Sequence, residues 1–375
     1  MAGIYFHIPF CKKKCNYCDF YSKRDSKGIG DVVESEVKEL VLRRDYLGND
    51  LIETIYFGGG TPSLLDENQI LRLLYNVRTC FNVSSDCEIT FESNPDDLSE
   101  AYLDILFSCG INRLSIGIQS FNDDILKFLG RRHDNKKLNS IIECAKKIGF
   151  SNISVDVIFG IPGMGLSTYT DTLNKIIQLN IQHISAYSLT IAEGTVFFKM
   201  INNNQLSEIS EEDLLIQFNT TIDTLSENGF IQYEISNYAK EGFRSRHNMS
   251  YWNGIKYLGI GPSAHSFNNI SRQWNISDAR KYCSNIDLQI QFSDIEYLTD
   301  NDKFNEYLIT GLRTSEGVSL GYINENFNKK VNDHFLLVIE KLKKDDLVYR
   351  NEDRIILTRR GLFISDYILR MLYYM

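Results

Sequence analysis

The sequence predicts an α/β protein, in which a parallel sheet curls into a partial (β/α)6 barrel and a smaller, mainly helical, winged-helix-like domain follows. Three observations carry this prediction. Six apolar, strand-like runs alternate with amphipathic stretches through residues 1–230. The least ordinary stretches of sequence each follow one of those runs. Beyond residue 302 the rhythm changes to helices, a short hairpin and a last helix. Repeated βα units imply a parallel sheet faced by helices. Right-handed crossovers curl it, and the C-terminal strand ends then carry the chemistry.

Taken in order, strands are expected at 4–9, 53–57, 88–92, 113–118, 153–159 and 183–189. Helices are expected at 32–46, 67–79, 100–108, 136–148, 167–179 and 211–228, where apolar residues recur at helical spacing. The first domain is therefore drawn as 1–230. Residues 231–302 form an aromatic- and His-containing segment that becomes polar from Asn268 and reads as a connection without a repeat. Residues 303–375 form the last domain, with helices at 304–313, 320–326 and 332–344, a hairpin through 347–357 and a helix from Arg360. Its charge signs are mixed, so a structural or protein-contacting role stands ahead of DNA binding.

At 375 residues, with 43% hydrophobic and 24% charged positions, the chain is of the ordinary globular class and long enough for one large domain and a smaller one. The formal charge of 40 minus 49, or −9, disfavours nonspecific binding to phosphate backbones, so nucleic acid is not expected as a partner. No run of 18 apolar residues and no basic-then-apolar leader is seen, and a cytoplasmic location is expected. Of eight cysteines, five are scattered and three crowd together, unlike a disulfide framework.

Those three are Cys11, Cys15 and Cys18, spaced C-x3-C-x2-C on the loop after the first strand. Three thiolates on one loop can hold three irons of a cubane cluster and leave the fourth open to an amine and carboxylate. Structural zinc would want a fourth Cys or His, which the spacing does not supply. Lys12, Lys13 and Lys14 between them read as a solvated basic loop, or as a docking point for an acidic electron donor. After the second strand, Gly58, Gly59 and Gly60 precede Thr61 and Pro62; glycines there let backbone approach a ligand, although a tight turn would use them too.

Together these stretches resemble the radical-SAM family, with Tyr17 as the aromatic residue before the third cysteine and Gly58 to Pro62 as its GGxTP motif. Further matches follow in family order at Glu92, Gln119, Arg131 with His133, and Asp156, and Gly160 to Gly163 resembles the segment against the adenine. The resemblance implies a four-iron, four-sulfur (4Fe-4S) cluster on the trio and S-adenosylmethionine (S-adenosyl-L-methionine) held by Tyr5, Tyr17, Gly58, Gly59, Gly60, Thr61, Glu92, Gln119, Arg131 and Asp156. In that scheme Arg131 pairs with the methionine carboxylate, for which a guanidinium fork is well shaped. The chemistry implied is one-electron cleavage to methionine and a 5′-deoxyadenosyl radical.

The opening from Tyr5 through His7 and Pro9 to Cys11 resembles the oxygen-independent coproporphyrinogen oxidase group, which contains the oxidase and the haem chaperone HemW. The oxidase has another cysteine two residues beyond the third ligand, where this chain has Phe20, and an N-terminal extension over its site. His247, Tyr251 and Trp252 match the H-N-x-x-Y-W motif of the chaperone branch, which implies haem as bound cargo. An imidazole can ligate haem iron, yet a His beside Tyr and Trp is also an ordinary core histidine; His265 is a secondary ligand candidate. The implied partners are haem, an apo-haemoprotein recipient and a small electron donor such as a flavodoxin or ferredoxin, with peripheral membrane association only through a recipient. Two other readings stay open: coproporphyrinogen III oxidase, and a cluster-containing DNA-binding regulator.

Overall fold

A computed structural model describes residues 1–24 and 27–375. The barrel half alternates β1 (Ala2–Ile8), α1 (Ile29–Leu42), β2 (Ile52–Gly59), α2 (Glu67–Cys80), β3 (Val83–Ser93), α3 (Glu100–Ser108) and β4 (Arg113–Gln119). It continues with α4 (Asp123–Phe128), α5 (Leu138–Ile148), β5 (Ile153–Phe159), α6 (Leu166–Gln178), β6 (His183–Ser188), α7 (Val196–Asn202) and α8 (Glu211–Glu227). Strands β1 to β6 lie side by side in chain order and pair in parallel, as the βα rhythm predicts.

Strand alternation gives this sheet two chemically different faces. Ile4, Phe6, Ile55, Phe57, Ile89 and Phe91 point to the helices and join the main core, with the Phe6 and Phe57 rings stacked at 4.8 Å. The intervening positions turn into the lumen and are polar. There Tyr56 reaches Glu92, Ser115 reaches Asp156, and Ser154 reaches His183, each across to another strand. The lumen is thus a hydrogen-bonded well rather than a second apolar core.

Residues 231–302 extend the sheet at both edges. β7 (Ile231–Gln232) and β8 (Asn237–Ala239) pair antiparallel beyond β6, followed by α9 (Arg246–Trp252). β9 (Lys256–Ile260) then returns to lie parallel against β1. β10 (His265–Phe267), β11 (Ser271–Asn275), α10 (Ala279–Leu288) and β12 (Ser293–Tyr297) complete a twelve-stranded sheet, β10 to β12 running antiparallel. This segment, read from sequence as a connection without a repeat, contributes six strands. They escaped notice because they are two to five residues long and have no crossover helix to mark them.

The last part holds α11 (Asp300–Gly311), β13 (Val318–Ser319), α12 (Leu320–Asn326), α13 (Lys329–Lys344), β14 (Val348–Asn351), β15 (Arg354–Leu357), α14 (Arg359–Phe363) and α15 (Ser365–Leu372). Its strands form a small antiparallel sheet in the order β13-β15-β14, and a second core gathers on Phe304, Phe335 and Leu342. The wing expected at 347–357 is β14 and β15. Among the described residues no helix is long and apolar enough to cross a membrane.

Candidate functional site

The loop after β1 carries the cysteine trio across the C-terminal mouth of the barrel. Asn16 pins it: its side chain donates to the Phe128 carbonyl at 2.8 Å, its amide donates to Leu129, and its own carbonyl accepts from Phe197. Cys11 is buried, while Cys15 and Cys18 are partly exposed. All three line one pocket of about 430 Å³ together with Tyr17, Gly59, Gly60, Thr61, Glu92, Gln119, Arg131 and Asp156. Residues from five strand ends therefore converge as the motif order implied. Gly60 is needed for the approach, because a Cβ there would sit 2.6 Å from the Phe10 carbonyl oxygen and 2.7 Å from that of Ile8.

Two residues meant for this wall sit just beneath it. Tyr5 is half-buried in the lumen, its hydroxyl 3.1 Å from His7 Nδ1. Gly58 leaves room below the pocket, where a Cβ would meet the rings of Tyr5 and Tyr56 and the carboxyl of Glu92. Gly160 to Gly163 also stay off the wall: the Gly160 amide donates to Gln217 on α8, and the adjacent Ile158 is the pocket residue.

Arg131 is the main cation at the pocket. Its Nη2 donates to Asn94 Oδ1 at 2.5 Å and to the Gly117 carbonyl at 2.7 Å, while Nη1 approaches Cys15 Sγ at 3.6 Å. Its Nε and the Gln119 Oε1 are both buried without a partner, which leaves polar atoms at this wall for a ligand to satisfy. Gln119 has a φ of 67° at an irregularity in the β4–β5 register. A bulge of this kind re-aims a side chain, and left-handed backbone at a non-glycine residue is characteristic of functional sites.

Two half-buried carboxyls, Glu92 and Asp156, line the same pocket. Burial, reinforced by the charge of Asp156, pushes Glu92 up to about 7 even though Tyr56 donates to it at 2.8 Å. Burial also raises Asp156, against hydrogen bonds from Ser185 and Ser115. His133 Nε2 donates to the Ile118 carbonyl at 3.0 Å, and its pKa is depressed to about 4, by burial first and then by Arg131. Thr61 Oγ1 donates to Cys11 Sγ at 3.3 Å and accepts from Asn94. The donor set fits a cluster and an amino-acid headgroup: three thiols on one loop, the Arg131 guanidinium, and the carboxyls of Glu92 and Asp156. Among the described residues no three such side chains converge closely enough for a single metal ion, and a cluster that assigns one iron to each thiolate does not require that.

Sequence reasoning did not single out Asn16, Ser115 or Tyr187. The last two line the pocket, and strand alternation from Gly117 and Asp156 is the signal that would have found them. The basic loop is partly engaged: Lys12 pairs with Asp97 at 2.7 Å and Lys14 donates to the Phe20 carbonyl, while Lys13 is exposed. Phe20, at the position that departs from the oxidase pattern, is 61% exposed at the pocket mouth.

The His247 motif divides between two surroundings. His247 is buried in the barrel floor, with Nδ1 2.8 Å from Thr54 Oγ1 and Nε2 2.9 Å from the Tyr251 hydroxyl. Burial, with the charge of Arg113, depresses it to about 3. Both ring nitrogens are therefore taken, and the expectation that it offers one to haem iron does not match this geometry. Glu88 holds the start of α9 by accepting from the amides of Arg246 and His247. Tyr251 and Trp252, in contrast, line a separate cleft of about 1170 Å³. His265 is exposed at the start of β10 and lines neither cavity.

Comparison with known proteins agrees with this geometry. Residues 5–176 match the Radical SAM superfamily and residues 298–364 the HemN C-terminal domain. The chain is 33% identical to the "Heme chaperone HemW" of Bacillus subtilis, over 98% of this chain and 97% of that protein. It is 31% identical to the protein of the same name from Lactococcus lactis, over 97% and 95%. In fold it matches the coproporphyrinogen III oxidase HemN of Escherichia coli with a TM-score of 0.85 and 24% identity, covering 99% of this chain and 90% of that one. The chain belongs to the radical-SAM superfamily and, within its coproporphyrinogen-oxidase-like group, to the HemW family.

Proposed function

We propose that this protein binds haem and delivers it to apo-haemoproteins, and that it carries a four-iron, four-sulfur cluster with S-adenosylmethionine beside it. The observation that carries the reading is the end-to-end similarity, at 31–33% identity, to two proteins named heme chaperone HemW. The likeness to HemN is one of fold and does not argue for oxidase activity.

In this reading Cys11, Cys15 and Cys18 hold the cluster. Arg131 meets the methionine carboxylate, Gly59, Gly60 and Thr61 cradle the amino group by close backbone approach, and Glu92, Gln119 and Asp156 take up the remaining polar atoms. Bound together, the two cofactors supply one-electron reductive cleavage of a sulfonium bond. The chain's own contribution is positioning: Arg131 braced by Asn94, the glycine turn, and Glu92 able to hold or release a proton near neutral pH. Tyr251 and Trp252 serve as the haem-facing part of their motif, and His247 positions Tyr251. The location would be the cytoplasm, and a small acidic reductant would dock at the exposed side of the cluster loop by Lys13.

The test is transfer. Haem-loaded protein mixed with an apo-haemoprotein such as apomyoglobin should give the acceptor's holo spectrum faster than free haem aggregates. Turnover of coproporphyrinogen III with no haem transfer would replace this reading by the oxidase one.

A further inference from the structure

Resting on the haem-binding reading, we propose that haem sits in the cleft between the β9–β10–β11 edge and the C-terminal domain, gripped by its faces and carboxylates without a histidine ligand. The cleft measures about 1170 Å³, ample for a cofactor larger than the ligands of ordinary pockets. One wall is Trp252 at the end of α9, Tyr257 on β9 and Phe267 on β10. The other is Tyr307 on α11 with Tyr322 and Phe327 on or beside α12. Ring centroids lie 6.2 Å apart for Tyr257 and Phe267, and 4.5 Å apart for Tyr307 and Tyr322. Two aromatic groups in one cleft suit a flat conjugated macrocycle, which would stack on the ring faces left open beside Arg313, itself 5.1 Å over the Trp252 ring.

The cleft mixes Asp300, Glu306 and Glu316 with Lys303, Arg272 and Arg354, and the cations are the groups that would meet the macrocycle's carboxylates. Arg354 lines the cleft and donates to the Gly317 carbonyl at 3.3 Å, and among the described residues it has no ion pair. Lys303 is 45% exposed and, among the described residues, pairs with Asp300 alone, at 3.5 Å. Arg272 lies over the Phe267 ring at 4.9 Å and is held by Glu306. The Trp252 indole N–H is buried without an acceptor, a vacancy that a ligand oxygen would fill.

Among the described residues no His, Cys or Met lines the cleft; of its four phenols, those of Tyr257 and Tyr307 accept hydrogen bonds from Arg272 and Ser319 and that of Tyr251 bonds His247, which leaves Tyr322. His247 lies behind Tyr251, turned away into the barrel floor. A grip of this kind would release its cargo without breaking a strong iron–nitrogen bond.

The experiment titrates the intact protein with haem, iron-free protoporphyrin IX and the dimethyl ester of that porphyrin, following absorbance and fluorescence. Protoporphyrin IX should bind within about threefold of haem. Trp252→Ala and Tyr322→Ala should each weaken both ligands tenfold or more, and Arg354→Ala should weaken the diacid at least fivefold while leaving the ester unchanged. Melting curves separate lost binding from lost folding, and the exposed Tyr322 serves if the Trp252 variant unfolds. Wild type that binds haem while all three variants bind equally well, or that rejects the iron-free ring, overturns the cleft assignment alone. Wild type that binds neither haem nor porphyrin overturns the haem reading and the cleft together.

Discussion

His247 was legible as a motif residue, but its burial was not, because one sequence cannot say which wall a helix presents to the barrel floor. Its ring fills the space left by Gly3, where a Cβ would come within 3.2 Å of it, and it joins Thr54 to Tyr251. His247→Ala should therefore cost about 2–4 kcal/mol, from a cavity and two stranded hydroxyls, measured by denaturant unfolding. Its pH behaviour has a definite sign. The folded value, about 3, lies below the ordinary 6.5, so the unfolded chain binds the proton first as pH falls. The stabilisation is complete above about pH 6.5 and is lost toward pH 3, with a slope approaching ~1.4 kcal/mol per pH unit for this one group. The slope measured between pH 6 and 4 should be shallower in His247→Gln by that amount. At the pocket, Arg131→Met removes the charge that would face a carboxylate. S-adenosylmethionine binding, followed by equilibrium dialysis, should weaken about 10- to 100-fold, the worth of roughly 1.5–3 kcal/mol of charge-assisted hydrogen bonding.

Among the elements, the turn after β2 was the most readable, since three glycines after an apolar strand state a requirement for close approach. The structure gives the reason residue by residue: Gly59 has a φ of 100° and faces the His7 ring, and Gly60 passes under the backbone of the cysteine loop. Backbone cannot yield as a flexible side chain can, so Gly60→Ala should displace Cys11. Iron and sulfide per chain after reconstitution should fall severalfold while the fold survives a penalty of about 1–3 kcal/mol. β9 was the least readable. Its five residues pair in parallel with β1, but the crossover leading to it spans the whole barrel, and no local period marks such a strand. Gln119 is the instructive middle case: its identity came from motif order, while the bulge that aims it into the pocket came only from the structure.

At the scale of the whole molecule, the structure holds two separate cavities, to which the proposals above assign different ligands. The cysteine-lined pocket opens at the C-terminal mouth of the barrel, and the aromatic cleft lies between strands β9 to β11 and the C-terminal domain; among the described residues they share no lining residue. The six-strand barrel and the winged last domain were visible as rhythm, because the parallel strands start some 30–50 residues apart. The cleft was not, because its walls come from residues 251–272 and 298–354, and their meeting depends on how the segment after the barrel folds back along β1. Separation has a consequence: replacing Cys11, Cys15 and Cys18 together by Ala should abolish the iron–sulfur absorption yet leave haem affinity within about twofold, read by parallel titrations. The measurement that tests the central claim most directly is a haem titration of anaerobically reconstituted wild-type protein, followed at the Soret band. One haem per chain, saturating sharply and then passing to an apo-haemoprotein, is the expected result. A Soret band that grows without saturation, as free haem gives, would contradict it.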